Sequence, residues 1–124
     1  MSEKVQKGPE SKRLKIRERG DVTVASFQDK KILDESNIEE IGRELVGLVE
    51  KRPRIKLMLD FGNVQYLSSA ALGKLITLNK RVAENDGQLV LCAIKPQIYE
   101  VFQITKLNKI FEIADDETTG MARF

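Results

Sequence analysis

The amino-acid sequence predicts an α/β fold with a mixed sheet of about five strands and helices packed mainly on one face. Three observations support this prediction. Residues 14–27 alternate apolar and polar side chains, which is typical of a β-hairpin. Short apolar runs then alternate with segments whose apolar residues recur every three or four positions, as in strands and helices that follow one another. Strands joined by helices pair in parallel, whereas the hairpin adds an antiparallel pair.

The hairpin is predicted from the first patterned segment of the chain. Leu14 and Ile16 alternate with charged residues, Gly20 marks the turn, and Val22 begins the second strand. Residues 1–13 contain Lys, Glu, Gly, Pro and Ser with little apolar surface. A flexible N-terminal tail is therefore predicted there.

The first helix is predicted to start among the capping residues 34–37 and to end near Arg52, because Pro53 disfavours helical dihedrals in the residue before it. Residues 55–61 then form a mostly apolar run, as expected for a central strand covered on both faces. The apolar residues that predict the packed face of this helix are Ile38, Ile41, Leu45, Leu48 and Val49.

The second helix is predicted to start at Ser68 or Ser69 and to stop at the Asn-Asp-Gly sequence of residues 85–87. Residues 88–94 are mostly apolar and predict another strand. The spacing predicts that the packed face of the helix holds Leu72, Leu75, Ile76, Asn79, Val82 and Ala83.

The end of the chain predicts one more helix, one more strand and a tail. Pro96 suits the first turn of a helix. Residues 109–114 form the predicted last strand, so the domain is predicted over residues 14–114. Residues 115–124 are predicted to be a mobile or loosely docked C-terminal tail. The face predicted to pack in the last helix holds Ile98, Val101, Phe102 and Thr105.

Composition and charge limit the partners. The 21 Lys and Arg residues are interspersed with 19 Asp and Glu residues, so no basic stripe and no nucleic-acid partner are predicted. No run reaches the ~18 apolar residues of a membrane span, and the N-terminus has no apolar core of a secretion signal. Cys92 is the one cysteine, which excludes an intrachain disulfide. A cytoplasmic protein with a buried, unreactive Cys92 is predicted.

The sequence favours a binding protein over an enzyme. It contains no histidine, so neither a Ser-His-Asp nor a Cys-His arrangement can be built. A small nucleotide-hydrolysing enzyme is one alternative, but Gly73 and Lys74 lie inside a helical pattern instead of a glycine-rich loop that would cradle a phosphate. No catalytic residue, no cofactor and no metal site are therefore predicted.

Ser68 and Ser69 raise the main functional question. A serine at a helix N-cap accepts a hydrogen bond from a backbone N–H and contributes ~1 kcal/mol, and one serine is sufficient for that. The pair lies just beyond the carboxyl end of a central strand, where open α/β sheets present functional groups. Because a helix N-terminus favours negative charge, a phosphate on an accessible hydroxyl can be carried there without unfolding the domain.

The order of elements and three segments together resemble the STAS domain of the bacterial anti-sigma factor antagonists. Residues 32–34 (ILD) resemble that family's Gly-x-Leu-Asp segment, and residues 59–67 (LDFGNVQYL) resemble its central strand and following loop. Residues 68–73 (SSAALG) align without a gap with its Asp-Ser-Ser-Gly-Leu-Gly motif. The resemblance covers about residues 14–114 and implies the same mixed sheet.

The resemblance also implies a phosphorylation switch. In that family the first serine of the motif is phosphorylated by a serine kinase that is also the anti-sigma factor, and a phosphatase reverses the modification. The matching residue is Ser69. The unmodified protein would capture the anti-sigma factor and free a sigma factor, which regulates transcription. The partner-binding residues implied are Asp34, Ser68, Ser69, Ala70, Ala71 and Leu72.

A constitutive STAS-type scaffold or subunit, without a phosphorylation switch, is the alternative. In this interpretation Ser69 only caps the helix. Three differences from the family motif favour it: Ser68 replaces the Asp, Ala70 the second Ser and Ala71 the first Gly. The hydroxyl retained at Ser69 favours the switch.

Overall fold

The computed structural model describes residues 13–124, so residues 1–12 of the predicted flexible tail lie outside the described part of the chain. In chain order the elements are β1 (Leu14–Arg19), β2 (Val22–Phe27), β3 (Lys31–Ile32), α1 (Glu35–Lys51), β4 (Lys56–Asp60), β5 (Tyr66–Leu67), α2 (Ser69–Glu84), β6 (Gln88–Cys92), α3 (Pro96–Ile104), a 3-10 turn (Leu107–Lys109), β7 (Glu112–Ala114) and α4 (Glu117–Met121).

Within residues 13–124 the main sheet has five strands, in the order β1-β2-β4-β6-β7. β1 and β2 form the antiparallel hairpin, with Leu14 opposite Phe27. The other neighbouring strands pair in parallel. The predicted mixed α/β sheet of about five strands is therefore confirmed, and the carboxyl ends of its parallel strands lie at one edge.

The larger hydrophobic core lies between one face of this sheet and helices α1, α2 and α3. The rings of Phe27 and Phe61 lie 4.8 Å apart within it. Each fully buried large apolar side chain contributes roughly 1.5–3 kcal/mol relative to an exposed one. The helices supply buried residues at spacings of three and four, namely Ile38, Ile41, Leu45 and Val49 from α1, Leu72, Leu75, Leu78 and Val82 from α2, and Ile98 and Phe102 from α3.

A second, smaller core lies on the opposite face and is covered by α4. Glu117 joins α4 to β1, because its carboxylate pairs with Arg17 at 2.6 Å and with Arg19 at 2.7 Å. Gly120 allows α4 to approach closely, since a Cβ there would lie 2.5 Å from the sulfur of Met58. The buried residues of this core are Val22, Val24, Met58, Val90, Cys92 and Ala114, against which Met121 and Phe124 pack.

The packed helix α4 differs from the mobile or loosely docked tail that the sequence predicts for residues 115–124. Asp116 is its N-cap and accepts a hydrogen bond from the amide of Thr119 at 2.7 Å. A helix of five residues is too short to show a helical period, so the sequence pattern does not indicate it. Helices therefore lie mainly, but not wholly, on one face.

Four residues predicted to pack and one predicted strand also differ. Ala83 and Thr105 are exposed near the ends of α2 and α3. Ile76 is 42% exposed and Val101 is 37% exposed, because the buried stripe of α2 passes through Leu78 and that of α3 lies to one side of Val101. The last strand is shorter than the predicted 109–114. Lys106 adopts a left-handed backbone conformation with φ of 63°, and the 3-10 turn that follows delays the strand.

Candidate functional site

A two-stranded parallel sheet, separate from the main sheet, brings the N-termini of α1 and α2 together. β3 and β5 pair with Lys31 beside Tyr66 and Ile32 beside Leu67. The amide of Ser68 donates to the carbonyl of Ile32 at 3.1 Å, which continues the pairing to the start of α2. Because each helix starts within three residues of its strand, the two helices begin side by side.

Ser68 is the N-cap of α2, and Ser69 is its first helical residue. The backbone of Ser68 is extended, with φ of −83° and ψ of 165°, and its Oγ accepts a hydrogen bond from the amide of Ala71 at 3.2 Å. The hydroxyl of Ser69 is exposed and makes no hydrogen bond within residues 13–124. The two serines therefore have different roles: Ser68 caps the N-terminus of α2, and Ser69 exposes its hydroxyl to solvent.

Asp34 is the N-cap of α1 and lies at the same end of the β3–β5 sheet as Ser69. Its Oδ1 accepts hydrogen bonds from the Ser36 amide at 2.9 Å and the Ser36 hydroxyl at 2.7 Å, and a longer one from the Asn37 amide at 3.4 Å. These hydrogen bonds, those from Ser36 first, lower the pKa of Asp34 from its ordinary value. Asp34 is therefore an ionised, exposed carboxylate held in one orientation by its cap.

Of the remaining predicted partner-binding residues, one is exposed and two are buried. Ala70 is exposed and extends the surface around Ser69 along α2. Ala71 and Leu72 are only 5% and 6% exposed, because they face the hydrophobic core. Their side chains pack α2 onto the sheet, so the surface that a partner can touch consists of Asp34, Ser68, Ser69 and Ala70.

The surroundings of Ser69 favour an anion. The first turn of α2 contains no acidic residue. Free backbone N–H groups and the helix dipole favour negative charge at such a start. Two ammonium groups lie at the same edge of the fold: the Nζ of Lys31 is 5.6 Å from the centre of the Tyr66 ring, and the Nζ of Lys95 donates to the carbonyl of Gly62. A phosphoryl group on the Ser69 hydroxyl is therefore compatible with the folded domain.

Two exposed apolar side chains flank the site, and neither is among the partner-binding residues predicted from the sequence. Leu33 is 52% exposed and directly precedes Asp34, and Tyr66 is 53% exposed in β5. Both belong to or border strands of two residues, in which no alternation can be recognised. Their exposure beside Ser69 adds apolar area to an otherwise polar surface.

Cys92 lies outside this site, beneath α4. Its side chain is fully buried, which confirms the predicted burial. Burial, followed by the nearby carboxylate of Asp60, raises the pKa of the thiol to about 12. The thiol therefore stays protonated and unreactive near neutral pH.

None of the helices within residues 13–124 has the length and apolar character that crossing a membrane requires.

The chain is similar to known proteins over most of its length. The family model of the STAS domain matches residues 13–120. The protein BtrV of Bordetella bronchiseptica, which is named as an anti-sigma factor antagonist, is 34% identical over 93 residues, covering 75% of this chain and 79% of that protein.

Two solved structures share the fold. One comes from Thermotoga maritima and is described as an anti-sigma factor antagonist. Its TM-score is 0.78 at 18% identity, and the match covers 91% of this chain and 95% of the Thermotoga protein. The other is the phosphorylated form of the Bacillus cell-fate determinant SpoIIAA. Its TM-score is 0.65 at 15% identity, and the match covers 89% of this chain and 97% of SpoIIAA.

Proposed function

The chain belongs to the STAS domain family, and from this we propose that it is an anti-sigma factor antagonist switched by phosphorylation of Ser69. Unmodified, it captures a serine-kinase anti-sigma factor and thereby frees a sigma factor. Phosphorylated, it releases that partner. A phosphatase acting on Ser69 restores the binding form.

The observation that carries this proposal is the division of roles between the two serines. Ser68 caps α2, so the hydroxyl of Ser69 is not needed for the fold and is free to accept a phosphoryl group. A phosphate adds about −1.5 to −2 charge and three strong acceptor oxygens. Placed at the centre of a docking surface, this charge repels the partner or must be desolvated, whereas the helix N-terminus beneath it tolerates the charge.

The contact surface around Ser69 follows from burial and orientation. Asp34, Ser68 and Ala70 lie around the hydroxyl and meet the partner, and the packed side chains of Ala71 and Leu72 hold α2 in place below it. In this function the protein is the substrate of the kinase and not an enzyme itself, and no cofactor takes part. Its partners act on transcription, so the protein works in the cytoplasm, where the single buried Cys92 stays reduced.

A constitutive STAS-type scaffold is the second candidate, and one observation favours it. Ala71, at the position of the family's flexible Gly, is buried and helical in this chain, so the start of α2 is stiffer than a glycine would make it. Intact mass of the protein isolated from cells, with and without phosphatase treatment, separates the two. A scaffold shows one mass under both conditions.

The direct test uses purified components. The chain is incubated with a serine-kinase anti-sigma factor encoded in the same genome, ATP and magnesium, and the product is analysed by mass spectrometry and partner pull-down. We expect one phosphoryl group on Ser69. Ser69→Ala should bind the partner and resist phosphorylation, whereas Ser69→Asp should stay folded and lose affinity.

Ser68→Ala is the matched control, because it removes the neighbouring hydroxyl and should leave phosphorylation of Ser69 largely intact. Phosphate mapped to Ser68, or a Ser69→Asp variant that binds as tightly as the parent, contradicts the switch.

A further inference from the structure

Three exposed apolar side chains lie on one surface next to the switch. Tyr66 is 53% exposed, Val101 37% and Ile104 75%. Val101 and Ile104 are three residues apart on α3 and so share one side of that helix. Tyr66 and Val101 both line a groove of about 210 Å³, whose other lining residues are Gln65, Leu67, Gln97 and Ile98. We call Tyr66, Val101, Ile104 and this groove the β5–α3 surface.

The packing of the domain does not account for this surface. α3 is held to the sheet by Ile98 and Phe102, which are 4% and 0% exposed. Ile104 lies outside that packed stripe, and Val101 lies at its border with more than a third of its surface exposed. A contiguous apolar area rimmed by polar residues is typical of a protein interaction site. The glutamine amides at the groove supply such a rim.

The β5–α3 surface is continuous with the surface around Ser69. Tyr66 and Leu67 form β5, and the chain passes from Leu67 to the N-cap Ser68 and then to Ser69. A partner of ordinary interface size that covers Ser69 therefore also reaches the groove.

The charges at the groove indicate the chemistry of its occupant. Among the described residues no carboxylate lines it, and the nearest acid on α3 is the exposed Glu100, one turn before Ile104. Lys31 places its ammonium over the ring of Tyr66, which lines the groove. Lys95 is the N-cap residue of α3, and its ammonium donates to the carbonyl of Gly62. An apolar side chain flanked by acidic residues complements such a surface, because the apolar group fills the groove while the carboxylates meet the two ammonium groups.

We propose that the β5–α3 surface is a second part of the docking site for the same serine-kinase anti-sigma factor and receives an apolar side chain from an acidic segment of that partner. The inference rests on the proposed function and extends it. The apolar contact supplies affinity in the unmodified state, and the phosphate on Ser69 repels the neighbouring acidic segment. Binding and switching thus depend on different residues of one continuous surface.

The test replaces single exposed residues by aspartate. Ile104→Asp and Val101→Asp place a negative charge on the β5–α3 surface. Ile16→Asp does the same at a 38% exposed position in β1, at the edge of the main sheet opposite β7. Affinity for the purified serine-kinase anti-sigma factor of the same genome is measured by calorimetry. We expect a loss of about tenfold or more for the first two variants and no more than about twofold for Ile16→Asp.

Charge is tested at one position. Ile104→Lys removes the same apolar side chain as Ile104→Asp but adds a charge that an acidic partner accepts, so it should lose less affinity. Added salt should weaken binding of the parent, since the ion pairs at the rim are screened. Thermal unfolding followed by circular dichroism checks each variant. If Val101→Asp does not fold, Ile104→Asp decides, because its position is three-quarters exposed.

The outcomes separate the two proposals. If the parent binds no serine-kinase anti-sigma factor, the proposed function is wrong and this inference falls with it. If the parent binds and is phosphorylated on Ser69, but Ile104→Asp binds as tightly as the parent, only the inference about the β5–α3 surface is overturned. A parent dimer that Ile104→Asp abolishes, with unchanged affinity for the kinase, identifies a second copy of the chain as the occupant and also overturns it.

Discussion

Separate replacement of Ser68 and Ser69 by alanine measures how the two hydroxyls divide their roles. The Oγ of Ser68 accepts the Ala71 amide at 3.2 Å, and loss of such a cap costs ~1 kcal/mol of stability, within a range of about 0.5–2 kcal/mol. Ser69 is the first helical residue and its hydroxyl is free of hydrogen bonds within the described residues. Alanine has the higher helix propensity by roughly 0.5 kcal/mol, so Ser69→Ala should be neutral or slightly stabilising.

The assay is urea unfolding of the parent and both variants, followed by circular dichroism. The expected order of stability is Ser69→Ala equal to or above the parent, and Ser68→Ala below it, with unchanged dependence on urea. In a thermal scan, ~1 kcal/mol corresponds to a shift of about 3–6 °C for a domain of this size. Ser69→Asp is a further control and should cost nothing, because an acid at a helix start interacts favourably with the dipole. If Ser69→Ala lost as much stability as Ser68→Ala, the assignment of Ser68 as the cap would be refuted.

Three further predictions concern the face covered by α4. Gly120→Ala should lower the free energy of unfolding by roughly 1–3 kcal/mol, because the new Cβ meets the buried sulfur of Met58; an unchanged urea midpoint would show that α4 does not pack as described. Hydrogen bonding from Arg17 lowers the pKa of Glu117, so its stabilising contribution is present above the unfolded-state pKa and is lost as the pH falls through the folded-state pKa. The stabilities of the parent and Glu117→Gln should therefore differ at neutral pH and converge in acid, and a constant difference would contradict this. Cys92 should react with a thiol reagent only as fast as the domain opens, and rapid labelling of the native protein would show that α4 leaves it accessible.

The sequence predicted the parts of the fold that are long enough to carry a period. α1 spans 17 residues and α2 spans 16, and their apolar spacing indicated both the helices and most of the buried positions. β3 and β5 have two residues each and α4 has five, so no alternation or helical repeat could reveal them. Their pairing and packing depend on contacts between distant parts of the chain.

The sequence was sufficient to locate the candidate site, but not to assign the separate roles of its two serines. The STAS resemblance pointed to the segment that begins at Ser68, and the family it implied is confirmed. Both serines have the chemistry of a helix cap, so only the backbone dihedrals and the hydrogen bond to Ala71 distinguish the cap from the free hydroxyl. The exposure of Val101 was equally hidden, since its spacing from Ile98 also fits the packed side of a helix.

The small β3–β5 sheet acts as a brace between two helix ends. It fixes the spacing of Asp34 and Ser69 through backbone hydrogen bonds, independently of the side chains that a partner touches. When a partner contacts both residues, their relative positions are already fixed, so binding costs little conformational entropy for ordering them. Substitutions that change the chemistry of this surface can therefore alter which protein is recognised while the geometry of recognition stays the same.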